Sequence, residues 1–289
     1  MYKIAHISDT HISYVDDNLH GTRLVELLKD IEDKKCDHVI ITGDLAENPK
    51  ATDFQYIREI LFYYGLLDQN KMSVVPGNHD IFGGAEKGPE GILFSLTCKN
   101  INYEENLDNF IETFKETFPN NNSYPFLKII NNIAIIGINS IDRWSEDTNP
   151  EGSNGKISGR DLSKLNKILF SEHLKDKIII VLIHHHLNKP VLHEDMPGHS
   201  LWLRIINWKM KLYGRKKLIR FFKKHKVNLI LNGHTHINEI YKINELTVVN
   251  SSACLMPLTD DQIRKYNIIS IPGDEDADKN LNIETIYLQ

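Results

Sequence analysis

Short apolar runs alternate along this chain with longer stretches of helical periodicity. Residues 2–8 alternate in part and predict a strand. Leu24, Leu27, Leu28 and Ile31 recur at helical spacing between Gly21 and Lys34. His38 to Thr42 predicts a short buried strand, and Asp53 to Tyr64 a helix with Phe54, Ile57, Ile60 and Leu61 facing inward. Met72 to Val75 predicts a third strand. This β-α-β-α-β order implies a parallel core.

Residues 81–124 break the rhythm, with Gly83-Gly84, Gly88-Pro89 and Asn120 to Asn122 bracketing a partly helical insertion. Pro125 to Ile130 and Ile133 to Asn139 predict a hairpin around Asn131-Asn132, because Asn tolerates the positive φ that a two-residue turn needs. Asp142 to Lys156 is polar and predicts a surface loop. Ser158 to Leu174 predicts a helix capped by Ser158, with Asp161 three residues on. Lys177 to Ile183 predicts a strand. Residues 187–212 form a long, cap-like connection to a basic helix at about 214–225, followed by a strand over Val227 to Asn232. Glu239 to Ile243, Leu246 to Asn250, Tyr266 to Ile271 and Leu281 to Leu288 predict antiparallel β-structure. No repeat, low-complexity tract or linker interrupts the chain, so one domain over 1–289 is expected.

Length and composition narrow the class. The 289 residues suffice for a substantial core, and 41% hydrophobic and 25% charged residues match an ordinary soluble protein. A formal net charge of −5 argues against binding nucleic acid over the whole surface. Cys36, Cys98 and Cys254 show no close pairing and fit a reducing compartment. Met1 leads directly into the first strand, which leaves no room for a signal peptide, so a cytoplasmic location is expected. Between Lys209 and Lys226 lie nine Lys or Arg and no Asp or Glu, next to the apolar Leu201, Trp202, Leu203, Ile205, Ile206 and Trp208. The bland reading is an amphipathic helix with a solvated basic face; the functional reading is a peripheral contact of 201–226 with anionic lipid or a phosphate-rich substrate.

Five short motifs carry the chemistry. Asp9-Thr10-His11, Gly43-Asp44, Gly77-Asn78-His79-Asp80, His184-His185-His186 and Gly233-His234-Thr235-His236 each follow an apolar run. Strands bearing such side chains at their carboxyl ends converge them on one crevice. Imidazole, carboxylate and amide oxygen form a mixed N/O set suited to Mn, Fe, Zn, Co or Ni. Seven such side chains are too many for one ion, which points to two transition-metal ions. Each motif alone has an ordinary alternative: Asp9 and Asp44 as turn residues, the triple His as a polar loop, Gly233-His234 as a turn.

The ordered set D-x-H, GD, GNHD, a His after a strand, and GHTH resembles the calcineurin-like metallophosphoesterase superfamily, across Asp9 to His236. The resemblance implies an α/β fold of four layers, αββα, with two mixed β-sheets flanked by helices. It implies Asp9, His11, Asp44 and His236 on one metal, and Asp44, Asn78, His184 and His234 on the other. His184 is assigned because it is nearest the strand end; His186 stands where the family usually has Pro. Two metals clamp the attacking and leaving oxygens of an in-line displacement and lower the pKa of a bridging water, whose hydroxide is the nucleophile. His79 is expected to protonate the leaving group, with Asp80 orienting its imidazole. His185, His186, His193 and His199 are candidate substrate contacts.

The expected activity is hydrolysis of a small phosphodiester or phosphomonoester, by similarity to bacterial cyclic-nucleotide and glycerophosphodiester phosphodiesterases. No obligate nucleic-acid partner is expected. Rival readings are a lipid or nucleotide pyrophosphatase, a nuclease, or a non-catalytic scaffold of the same fold. The intact set of motifs weighs against the scaffold, and the net acidity against the nuclease.

Overall fold

The computed structural model describes residues 1–14, 18–84, 86–88, 91–93, 98–119, 122–188, 210–255, 263–273 and 281–288. The β-α-β-α-β start is formed by β1 (Tyr2–Ile7), α1 (Asn18–Asp33), β2 (His38–Ile41), α2 (Ala51–Tyr63) and β3 (Met72–Val74). The 81–124 region follows the one-turn α3 (His79–Phe82) and contains a two-stranded ribbon, β4 (Glu86–Gly88) with β5 (Gly91–Leu93), and α4 (Tyr103–Thr113). Next come β6 (Phe126–Ile130), β7 (Ile133–Gly137), α5 (Gly159–Leu169), β8 (Ile178–Leu182), α6 (Arg215–Lys224) and β9 (Leu229–Asn232). Four strands close the chain: β10 (Glu239–Ile243), β11 (Leu246–Asn250), β12 (Lys265–Ile271) and β13 (Asn282–Tyr287).

The larger strands form two mixed sheets, ordered β13-β12-β1-β2-β3 and β10-β11-β9-β8-β7-β6. In the first, β1, β2 and β3 run parallel. In the second, β7, β8, β9 and β11 run parallel. The all-antiparallel reading of the C-terminal strands is therefore corrected at β11. Its carboxyl end has to reach the same edge as that of β9, and only a parallel course places it there.

Period-two alternation explains the layers. Ile133, Ile135, Ile180, Leu182, Leu229 and Leu231 join a core shared with the first sheet, α1 and α2. Their neighbours Ala134, Ile136, Ile179, Val181 and Ile230 join a second core with Leu165, Leu169, Leu218 and Phe222 of α5 and α6. Strands covered on both faces read as unbroken apolar runs, which is why β2, β8 and β9 lack visible alternation.

One local expectation is met and another changes in detail. Asn131 takes φ 52° in the β6–β7 turn, as its residue type allows. The helix from Ser158 stops at Leu169, and Glu172–Leu174 forms a separate 3₁₀ turn. Ser158 Oγ accepts the Asp161 amide at 3.0 Å, so the start is capped as read from the sequence. Among the described residues, no helix is long and apolar enough to cross a membrane.

Candidate metal centre

The carboxyl ends of β1, β2 and β3 in one sheet and of β8 and β9 in the other meet at a single crevice. Beyond β1 and β2 the loops stay in register: the Asp9 amide donates to Gly43 O at 3.0 Å and the His11 amide to Asp44 O at 3.0 Å. The His234 amide donates to Asp9 Oδ1 and Oδ2, both at 3.1 Å, which ties the β9 loop to the β1 loop. Two glycines permit this approach. A Cβ on Gly77 would lie 2.0 Å from Asp44 Oδ1, and one on Gly233 would lie 1.9 Å from Ser8 Oγ.

The backbone here is unusual. Asp9, His11, Asp44, His234 and His236 all have positive φ, from 45° to 75°. For non-glycine residues each such conformation costs on the order of 1–3 kcal/mol, and it persists because the neighbouring strands over-determine it.

Asp44 lies at the centre. Its Oδ1 accepts the His79 amide at 2.8 Å. Its Oδ2 lies 3.4 Å from His184 Nε2 and 3.9 Å from His11 Nε2. Two clusters of donor atoms, each within 4.8 Å, share it: Asp9, His11, Asp44 and His236, and Asp44, His184 and His234. Asn78 Oδ1 adds to the second at 3.2 Å from His184 Nε2. All seven side chains singled out in the sequence thus meet at one crevice, although 225 residues separate Asp9 from His234.

The donors fit metal ions. His184 Nδ1 lies 2.7 Å from Thr42 O. A carbonyl only accepts, so Nδ1 carries the proton and Nε2 presents its lone pair to Asp44 Oδ2 and Asn78 Oδ1. Three lone pairs directed at one point call for a cation. A second proton on His184 fills the same electrostatic need. Burial disfavours the imidazolium, but Asp44, its hydrogen bond and Asp9 outweigh that and raise the pKa to about 9. His234 is held neutral by burial and by the neighbouring imidazoles of His185 and His184, and its buried Nε2 has no partner. A neutral imidazole is the ligand form.

The sequence of the chain over residues 2–238 matches the family model for the calcineurin-like phosphoesterases. The chain belongs to that family. It is therefore a hydrolase of phosphoesters, and its family is metal-dependent. This calcineurin-like phosphoesterase is 25% identical over 240 residues to a "Probable cyclic nucleotide phosphodiesterase" of Ruthia magnifica subsp. Calyptogena magnifica, covering 81% of this chain and 78% of that one. Its fold is similar to that of a dimetal phosphatase from Danio rerio, with TM-score 0.66, 12% identity, and coverage of 98% of this chain and 95% of that one. It is also similar to a purple acid phosphatase from yellow lupin seeds, with TM-score 0.60, 14% identity, and coverage of 99% of this chain and 51% of the other.

Other positions of this calcineurin-like phosphoesterase depart from the reading of its sequence. The carboxylate of Asp80 accepts the Ala46 and Gly77 amides at 3.0 and 2.8 Å, so it braces the loops and does not orient His79. Burial and the charge of Asp44 raise the Asp80 pKa to about 7, against those two hydrogen bonds. The group that faces His79 is Glu47. Its carbonyl lies 3.2 Å from His79 Nδ1, and its Oε2 lies 3.4 Å from the same atom and 3.0 Å from His11 Nδ1. Burial disfavours the His79 imidazolium, but Asp44 and Glu47 outweigh it and raise the pKa to about 9. Nothing in the sequence separates Glu47 from any other loop glutamate except its place three residues after Asp44.

His185 is also corrected. It is buried, with Nδ1 2.8 Å from Ser140 Oγ and Nε2 3.2 Å from Ser153 O, which leaves no nitrogen for a substrate. His186 stacks on His234 with ring centroids 5.9 Å apart, and its Nδ1 has no partner. It contributes no atom to either donor cluster. His193 and His199 lie outside the described residues.

Proposed function

We propose that the chain hydrolyses small phosphodiesters, and with them phosphomonoesters, at a centre for two metal ions whose ligand sets would share Asp44. The observation that carries this reading is the pair of donor clusters with Asp44 as their common member. Asp9, His11, Asp44 and His236 would hold one ion; Asp44, Asn78, His184 and His234 would hold the other. The N/O donor set suits Mn, Fe, Zn, Co or Ni. When bound, such ions supply the positive charge that polarises a phosphoryl group and activates water.

The residues of the chain do the rest. Asp44 Oδ1 is occupied by the His79 amide, which directs Oδ2 between the two clusters. The Thr42 carbonyl fixes the His184 ring so that Nε2 faces inward. His79 donates from Nδ1 to the Glu47 carbonyl, so Nε2 is the nitrogen that delivers a proton to the leaving alkoxide. His186, which stacks on the His234 ring, is the candidate for a substrate contact on that side of the centre. Preference for diesters is supported by the name of the relative from Ruthia magnifica.

The test is to strip the protein of metal and reload it with each of the five metals. Metal content is measured together with hydrolysis of bis(4-nitrophenyl) phosphate, 4-nitrophenyl phosphate and cyclic nucleotides. Two ions per chain and metal-dependent turnover of the diester are expected. Saturation at one ion per chain, or no hydrolysis with any metal, would remove this reading. Asp44→Asn serves as the internal control, with loss of both ions and retention of the fold.

A further inference from the structure

The basic segment and the edge of the sandwich meet far from the metal centre. Of the basic-apolar stretch 201–226, residues 201–209 lie outside the described residues. In the described part, α6 buries Leu218 and Phe222 against the second sheet and exposes Lys216, Lys217, Arg220, Lys223 and Lys224. The chain as a whole carries −5, yet residues 209–226 contribute nine cations and no acid. This stretch is therefore locally basic within a chain of negative net charge.

Beside the end of α6 runs a groove of about 760 Å³. Lys223, Lys226 and Lys242 line it together with Ile240, Leu246 and Ile283, and Glu245 is the one carboxylate on its walls among the described residues. It lies where the exposed edge strands β10 and β13 of the two sheets approach each other. Ile240 is 44% exposed. On the neighbouring surface Phe170 is 60% exposed, with Lys224 Nζ 5.5 Å from its ring centroid. Cations and open apolar side chains share one surface.

We propose that this groove and the basic face of α6 dock the protein on a bilayer containing anionic phospholipid. Lysine ammonium groups at the rim pair with lipid phosphates, and the aliphatic wall receives the acyl region just beneath them. The wall favours lipid over nucleic acid. Single-stranded nucleic acid is held by exposed aromatic platforms on which bases stack; among the described residues the one aromatic lining this groove, Tyr241, is half-buried and packs against the core of the second sheet. The groove opens at the amino-terminal ends of β9 and β11, whereas the metal donors stand at the carboxyl ends. One strand length, roughly 15 Å, separates the two. Docking therefore leaves the crevice open to solvent, and the inference is independent of the proposed hydrolysis.

The test uses the full chain and sedimentation with vesicles of phosphatidylcholine alone or of equal parts phosphatidylcholine and phosphatidylglycerol, at low and high salt. Binding to the anionic vesicles alone, weakened by salt, is expected. Each surface lysine strengthens such partitioning by roughly five-fold, so Lys223→Glu/Lys226→Glu/Lys242→Glu should weaken it by far more than ten-fold. The exposed triple Lys29→Glu/Lys50→Glu/Lys71→Glu, with the same change in net charge, should retain most of it. Ile240→Asp should weaken binding while leaving the salt dependence in place. If the groove triple melts early, Lys223→Glu and Lys242→Glu singly carry the comparison. Absence of binding at low salt, or equal loss in both triples, would overturn the proposal. So would displacement from vesicles by single-stranded RNA or inorganic phosphate at matched phosphate concentration. Hydrolysis of a soluble diester should be the same in the wild type and the groove variants.

Discussion

Asn250, the last residue of β11, clamps Thr235 between His234 and His236, two of the proposed metal ligands. Its Nδ2 donates to Thr235 Oγ1 and to Ile237 O, while its Oδ1 accepts Asn232 Nδ2 at 2.8 Å. Asn232 and Asn250 face each other in the β9–β11 register, and both are buried. The pair sets the path of a loop whose His234 and His236 have φ of 75° and 58°. Asn250→Leu should relax that path, cost about 1–3 kcal/mol of stability, and leave Asn232 unpaired. Metal affinity should fall by more than ten-fold at the cluster containing His236. Thr235→Val, which removes one acceptor, should have a smaller effect. Calorimetric metal titration alongside thermal melting checks this; unchanged affinity in a destabilised Asn250→Leu would confine the clamp to a structural role.

His79 and Glu47 should behave as one unit. His79→Ala should keep both ions and lose roughly 10²- to 10⁴-fold in turnover, with the greatest loss for leaving groups of high pKa. Glu47→Gln should reproduce part of the same leaving-group dependence, because Glu47 faces Nδ1 of both His79 and His11. A Brønsted series of aryl and alkyl diesters separates the outcomes. A loss in His79→Ala that is uniform across the series would assign that ring to binding the phosphoryl oxygens.

The triple histidine should divide by position. His184→Ala should remove one ion, since its Nε2 faces Asp44 and Asn78. His186→Ala should keep both ions and raise KM, because His186 stacks on His234 without joining a donor cluster. His185→Ala should reduce stability, by loss of its bonds to Ser140 and Ser153, more than it reduces metal content. Elemental analysis of the three purified variants decides; the opposite pattern for His184 and His186 would move the ligand by two residues.

Lys128 should leave a signature in the dependence of stability on pH. It points between the sheets from the edge strand β6, with Nζ donating to Met72 O and to Ser73 Oγ, the latter at 2.9 Å. Ser73 Oγ also lies 2.9 Å from His38 Nε2, and Asp68 is the carboxylate whose charge it feels. Burial lowers its pKa from 10.5 to about 7. Between those values the unfolded chain holds a proton that the folded chain lacks, so unfolding free energy rises with pH across that window. The penalty is full below about pH 7 and vanishes above about pH 10.5. Lys128→Met should abolish this rise, which amounts to as much as about 3–5 kcal/mol. Chemical denaturation of both proteins from neutral to alkaline pH gives the difference curve, and parallel curves would count against a neutral buried amine.

The order of strands and helices, and the convergence of the Asp, Asn and His side chains of five motifs on one crevice, could be read from local patterns. Apolar runs ending in Asp, Asn and His are a property of neighbouring residues, and the period of a buried strand is visible without its partners. The sequence did not disclose which polar group serves which. Asp80 is adjacent to His79 in the chain, yet its carboxylate turns to two backbone amides, and Glu47 comes from another loop to face the ring. His185 is adjacent to a donor and is sealed by Ser140 and Ser153. The direction of β11 was likewise set by pairing with β9 in its own sheet, and the burial of Lys128 by its contact with β3 of the other sheet. Tertiary structure decided these points because a side chain's partner depends on which loops and strands, distant in sequence, are packed beside it. The loops of the site are themselves tied together across as many as 225 residues, where the His234 amide donates to Asp9.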